Sequence, residues 1–205
     1  MKKIKSIFLA TLILTVFSND VFSQAFDDGT NLVYLGFGLP PNQRIQKDFN
    51  KKYANNNIYT DYKFNNYGTG VLKYEHGLHK YFGLGLALEY SASSVAFKYG
   101  VSTLQYEQQI KNQVMGGYVR FNGHIPVKDK FDIYGGVGLG YLYTLNRYSD
   151  TNPNSTVNVK NRETIFEFDY QLTLGFRFMV KDNIGLFAEF GWATTPAQVG
   201  VVFKF

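Results

Sequence analysis

Phe166-Glu167-Phe168-Asp169-Tyr170-Gln171-Leu172-Thr173-Leu174-Gly175-Phe176-Arg177-Phe178 is the stretch that decides the fold. Seven large apolar residues (Phe166, Phe168, Tyr170, Leu172, Leu174, Phe176 and Phe178) hold the alternate positions, and polar or small residues stand between them. Side chains alternate faces along a β-strand, so one face of this segment is a continuous apolar wall and the other is polar. A helix, at 3.6 residues per turn, would scatter the seven around its circumference.

The same period recurs on both sides of this segment. Ile184, Leu186, Ala188, Phe190 and Trp192 oppose Gly185, Glu189 and Gly191, while Phe82, Leu84, Leu86, Leu88 and Tyr90 oppose Gly83, Gly85, Ala87 and Glu89. Phe131, Ile133, Val137, Leu139, Tyr141 and Tyr143 oppose Asp132, Tyr134, Gly136, Gly138 and Gly140. Weaker copies are Val33 to Leu39, Leu72 and Tyr74, Val119 and Phe121, and Val199 to Phe205, which brings the number of strands to eight. Each is close to the ~9–11 residues that a tilted membrane strand needs.

The connections alternate in length. Tight turns are expected at His76 to Lys80, Pro126 to Lys130 and Lys181 to Asn183, and long polar loops at Pro40 to about Tyr62, Ser93 to Lys111 and Asn146 to Arg162. The exception is Thr194 to Ala197, a short final loop on the long side, and with it all five prolines fall in connections, as their missing N–H requires. Short turns at one end and long loops at the other are the layout of an outer-membrane barrel. A soluble sandwich also alternates, but its outer face would be broadly polar. Here the polar face is small, with Gly36, Gly38, Gly83, Gly85, Gly136, Gly138, Gly140, Gly175, Gly185, Gly191 and Gly200 on it, and small inward residues let a narrow barrel close without an edge. The fold class read from these patterns is all-β, an eight-stranded antiparallel up-and-down transmembrane β-barrel.

Composition agrees. The chain has 205 residues, 45% hydrophobic and 18% aromatic, with Tyr 16, Phe 19, Gly 20 and Cys 0. Its mean hydropathy of −0.19 is too polar for a bundle of membrane helices, each of which needs about 20 largely apolar residues. Absent cysteine excludes disulfides, thiolate metal sites and cysteine nucleophiles. The one dense apolar run, Ile7 to Phe17, follows Lys2, Lys3 and Lys5 and precedes a polar stretch ending at Ser23, which is the three-part form of a secretory signal peptide. Residues 1–23 are therefore read as a cleaved export signal and 24–205 as the barrel domain. The run is too short for the ~18 residues of an uncleaved anchor. Lys2, Lys3, Lys5 and Asp20 leave with the signal, so the formal charge of +5 falls to +3. No basic run remains to suggest nucleic acid.

The chain ends in Gln198-Val199-Gly200-Val201-Val202-Phe203-Lys204-Phe205. The pattern Gln198, Gly200, Phe203, Phe205 resembles the C-terminal insertion signal of outer-membrane barrels, read by the barrel-assembly machinery. A last strand with open backbone groups and alternate aromatics can add to another sheet edge. With segments such as Asn183 to Phe190 and Tyr134 to Tyr141, residues 30–205 resemble the OmpA/OmpX-type family of small eight-stranded barrels. The resemblance implies an outer-membrane location, a monomer, and lipid and lipopolysaccharide as surroundings.

With large apolar residues outward, the lumen is expected to receive Lys73, Glu75, Glu89, Arg120, Asp132, Glu167, Asp169, Arg177, Glu189 and Lys204. Both signs are present, so mutual pairing into a plug is the cheapest arrangement, with Arg120 or Arg177 against Glu89 or Glu189. Rearrangement of such pairs would instead make a small ion or solute channel. Eight strands enclose an interior that side chains just fill, so a wide pore is not expected. His76, His79, His124, Glu75 and Asp132 are the only candidates for a metal site, and no metal, cofactor or enzymatic activity is read from them. All three histidines are expected near the periplasmic turns, away from the outer rim where a lipid-modifying site would lie. Arg44, Lys47, Lys51 and Lys52 against Asp48 give the first loop a net charge of +3, with Tyr53, Tyr59 and Tyr62 alongside. Such a loop suits the phosphates of lipopolysaccharide or is simply solvated.

Overall fold

The computed structural model describes residues 25–39, 59–101, 104–155 and 162–205. The expected signal peptide, Gln24, and the charged part of the first loop (Arg44, Lys47, Asp48, Lys51, Lys52, Tyr53) lie outside them. Eight strands follow in chain order: β1 Asn31–Gly38, β2 Tyr59–His79, β3 Phe82–Val101, β4 Leu104–Lys128, β5 Phe131–Asp150, β6 Arg162–Lys181, β7 Ile184–Trp192 and β8 Ala197–Lys204. Each pairs antiparallel with the next, and β8 returns to β1, closing the barrel.

The tight turns are where alternation breaks: Lys80-Tyr81, Asp129-Lys130 and Asp182-Asn183 are the two-residue links. Paired residues followed from Gly38 at the far end of β1 run through Gln198, Glu189, Gly175 and Tyr134 to His124, close to the turn end of β4. The row descends as it goes round, which is the strand tilt that barrel closure demands.

Outward residues are apolar and exposed. Leu86, Leu139, Leu172 and Trp192 each leave more than half their surface open. So large an apolar surface, continuous round a closed ring, is solvated by lipid and not by water. Tyr90, Tyr141, Tyr170 and Trp192 are exposed in its upper part, with Phe168 and Phe166 beyond Tyr170 on the same face; amphipathic rings suit the level of the head groups. We take the turn end as periplasmic and the loop end as extracellular.

The strands differ from the sequence reading in length. β2 to β6 run 20–25 residues, and most of Ser93 to Lys111 is a paired hairpin, with Ser94↔Lys111 through Tyr99↔Tyr106 in register. Beyond the lipid the outward face meets water while inward residues such as Phe97 stay buried, so pairing continues although the outward row of large apolar residues that marks a membrane strand ends. β1, β7 and β8 stop at 8, 9 and 8 residues, and β2 to β6 therefore stand above the membrane as a five-stranded sheet. Among the described residues, Pro126 is the one proline placed inside a strand, at the register shift between Pro126 and Lys128. Gly68 marks another irregularity, beside the shift between Asn66 and Thr69. Its φ is +73°, and a Cβ there would fall inside the Phe37 ring, so both backbone and space require glycine.

Candidate functional site: the ion-paired lumen

Seven of the ten expected lumen residues, Lys73, Glu75, Glu89, Arg120, Asp132, Arg177 and Glu189, are buried inside the barrel. Strand parity puts them there: β2 supplies Lys73 and Glu75, β3 Glu89, β4 Arg120, β5 Asp132, β6 Arg177 and β7 Glu189, each opposite the lipid-facing set. They form two connected layers.

The upper layer centres on Glu189. Its carboxylate accepts from Lys73 Nζ at 2.8 Å, Arg120 Nη1 at 2.8 Å and Nη2 at 3.1 Å, Gln198 Nε2 at 2.8 Å and Tyr134 Oη at 3.2 Å. Arg120 Nη2 also donates to Thr173 Oγ1 at 2.9 Å. Space for that guanidinium comes from Gly136, where a Cβ would lie 2.5 Å from Arg120 Nη2 and 2.5 Å from Asn122 Oδ1. Glycine on the polar face is thus opposed by the largest polar side chains.

The lower layer is built round Arg177, which pairs with Asp132, its cross-strand partner, and lies 3.8 Å from Glu75 Oε2. Arg177 Nη1 donates to Tyr34 Oη at 2.7 Å, and that hydroxyl donates to Glu75 Oε2 at 2.5 Å. The guanidinium carbon sits 5.3, 5.8 and 5.5 Å from the ring centres of Phe26, Tyr34 and Tyr134, within cation–π range of all three. His124 bridges the two carboxylates, with Nδ1 2.8 Å from Asp132 Oδ2 and Nε2 2.9 Å from Glu75 Oε1. Asn122 links the layers, donating to Glu75 Oε1 at 2.6 Å and accepting from Arg120 Nη2 at 3.4 Å.

An apolar floor closes the periplasmic end. Ala25, Phe26, Leu32, Tyr34, Met179, Phe187 and Val202 form one buried cluster, and Phe26 stacks on His124 at 3.6 Å between ring centres. This end of the lumen thus carries large apolar side chains beside the polar and small residues of the inward face. The N-terminal segment turns into the mouth, held by Gly29 N–H to Gly77 O at 2.9 Å and Gly77 N–H to Thr30 O at 2.7 Å.

The remaining expected lumen residues sit elsewhere. Glu167 is exposed, because β7 ends at Trp192, whose partner is Leu172, so above that point β6 keeps β5 on one side but has no paired strand on the other to close the wall. Asp169 is half-buried at the upper rim and accepts from Tyr118 Oη at 2.7 Å. Lys204 is half-buried at the periplasmic mouth, level with Leu32. Glu89 pairs with neither arginine; its Oε1 accepts from Gln171 Nε2 at 2.8 Å. Of the C-terminal pattern, Gln198 bonds Glu189 and Gly200 makes room for the Phe187 ring, while Phe205 is exposed and pairs its N–H with Asn31 O at 3.0 Å.

His124, Tyr34, Tyr134, Asn122, Gln171, Thr173 and Phe26 are members of the network that the sequence reading left out. Parity could have found most: His124 and Asn122 share the inward register of Arg120, and Gln171 and Thr173 alternate with Leu172. Phe26 precedes the first strand and carries no such signal. His76 instead contacts Asn31 Oδ1 at 2.9 Å, and His79 packs 5.5 Å from the Tyr81 ring. Among the described residues no group of three or more His, Asp or Glu is set to hold a metal ion.

No family model and no curated protein matches the chain. Among solved structures, it is similar to Ail, the attachment invasion locus protein of Yersinia pestis, in complex with the heparin analogue sucrose octasulfate, at 13% identity over 87% of this chain and 99% of that one, with a TM-score of 0.42. The N-terminal β-barrel domain of Pseudomonas aeruginosa OprF gives 12% identity, 87% and 99% coverage and a TM-score of 0.44. Outer membrane protein OprG of the same organism gives 13%, 91% and 99%, and 0.44. At these levels the likenesses add nothing to what strand order and register already show of the fold.

Proposed function

We propose that the chain is an integral outer-membrane β-barrel whose lumen is closed by its own ion pairs and which acts through its extracellular side, in a structural or surface-interaction, adhesin-like role. The observation that carries this reading is the Glu189 carboxylate, 1% exposed and held by donors from β2, β4, β5 and β8. A group tied to four other strands fills the cross-section and leaves solutes no path. Among the described residues, what projects into the medium is the sheet of β2 to β6, so contact with partners falls to it there. In this reading the protein is a monomer in lipid and lipopolysaccharide, exported by its signal peptide and inserted by the barrel-assembly machinery. It is not an enzyme.

The test is a heat-modifiable shift on gels together with retention in the membrane fraction after carbonate washing. A shifted, retained band is expected. A soluble, unshifted protein would overturn the membrane reading.

A small channel is the second reading. It is favoured by Thr69 Oγ1, Ser91 Oγ and Gln198 Oε1, which are buried with no hydrogen-bond partner among the described residues and face the lumen from β2, β3 and β8. These atoms suit a hydrated upper half, which the Glu189 layer beneath would have to open for conduction.

A further inference from the structure

Above the lipid belt, Lys111 of β4 pairs in register with Arg147 of β5, and Arg147 pairs with Arg162 of β6. Three cations stand side by side on neighbouring strands. All three are exposed, and among the described residues none of them has a hydrogen bond or ion pair. Like charges directly opposite each other weaken a sheet, so this row costs stability unless an anion joins it. The contrast is Lys98 on β3, whose Nζ reaches Asp61 Oδ2 at 2.7 Å and whose register partner is Glu107.

The row faces sideways. Lys111, Arg147 and Arg162 have the parity of Met115, Tyr143 and Phe166, themselves a register row four residues closer to the lipid on the same three strands. The side chains are therefore presented over the surrounding leaflet. The cations lie four residues beyond the exposed Phe166 and its register partners. At ~3.3 Å per residue and a tilt of ~40°, the row stands roughly 10 Å above that edge of the apolar face. That is the height of a sugar layer carried by lipids, above the acyl chains themselves.

We propose that Lys111, Arg147 and Arg162 form a lateral binding row for the phosphorylated saccharide of an outer-leaflet glycolipid. Resting on the outer-membrane reading, the proposal gives that reading a defined lipid contact. Two guanidinium forks and an ammonium about 5 Å apart across strands can share the oxygens of one or two phosphates, the geometry in which Arg binds best. Sideways orientation favours a lipid-anchored anion over a soluble polyanion arriving from the medium.

The test uses the full-length protein in nanodiscs, with lipopolysaccharide and the same lipopolysaccharide treated with phosphatase as probes. The variant is Lys111→Gln/Arg147→Gln/Arg162→Gln, with Lys98→Gln as the same-face control. Wild type and Lys98→Gln are expected to bind the phosphorylated form at least tenfold more tightly than the triple variant, a difference that shrinks with salt and vanishes for the dephosphorylated form. Equal binding by the triple variant would overturn the proposal, as would heparin in free solution binding the row as well as lipopolysaccharide does. Heat-modifiability of the triple variant is read from the same samples. An unshifted wild type would sink the membrane reading itself, whereas a shifted, inserted triple variant with undiminished binding would sink only the row.

Discussion

Replacing Glu189 with Gln removes one negative charge from the centre of the barrel while leaving its shape. The lost carboxylate is the common acceptor for Lys73 and Arg120, which are 5% and 2% exposed. The new amide puts an NH2 against donors that now hold one oxygen where two stood. Removing one partner of a buried pair costs about 3–5 kcal/mol, or about two to four decades in the folding equilibrium. The assay is urea unfolding in lipid vesicles, followed by the fluorescence of Trp192, the single tryptophan, which lies on the lipid face three residues from the mutation. Lys73→Met/Glu189→Gln removes a cation together with the anion and leaves Arg120 in the layer with Glu89. It is expected to recover about 1–3 kcal/mol, the range of coupling between residues in contact. A cost below about 1 kcal/mol for Glu189→Gln, or a double variant that only adds the two single losses, would refute the claim that buried pairing holds the lumen shut.

Other outcomes follow from the same geometry. Gly136→Ala is expected to cost about 1–3 kcal/mol through overpacking against Arg120 and Asn122, read from the same urea midpoint, while Gly123→Ala, with nothing within 4 Å of its Cβ, should stay within about 0.5 kcal/mol. The Lys98 ammonium beside Asp61 holds its carboxyl below the usual carboxylate range. Their pairing therefore contributes at pH above the unfolded Asp value of about 3.9 and fades as pH falls through the lower folded value. Lys98→Gln should bring Asp61 back to the ordinary range in an NMR titration. Phe205→Ser is expected to lower membrane assembly sharply with the lumen intact, measured as the heat-modifiable fraction; unchanged assembly would remove the insertion role from the terminal strand.

The lipid-crossing part of this fold is legible because a bilayer imposes one rule on every strand. Phe166 to Phe178 shows it plainly, and the residues opposite, Gln171, Thr173 and Arg177, are where parity puts them in the lumen. Above the lipid that rule lapses. Ser94 to Tyr99 and Tyr106 to Lys111 pair through backbone bonds where the outward face meets water, so they lack the outward apolar row and their sequence reads as loop. Glu167 was placed in the lumen by parity alone, which says nothing of where the wall ends; that depends on β7 stopping at Trp192. Pair choice was equally hidden. Arg177 takes Asp132 because their register sets them opposite, and Glu89 goes to Gln171, neither of which the order of residues within one strand reveals. Phe26 and the apolar floor belong to a segment with no period at all.

The claim of a shut lumen is tested most directly by single-channel recording in planar bilayers, on protein shown by heat-modifiability to be folded in the same preparation. Wild type is expected to give a flat baseline at high protein load. Steady, ohmic steps from the wild-type protein would contradict the account, because they require a water path through the layer that Glu189, Lys73 and Arg120 close.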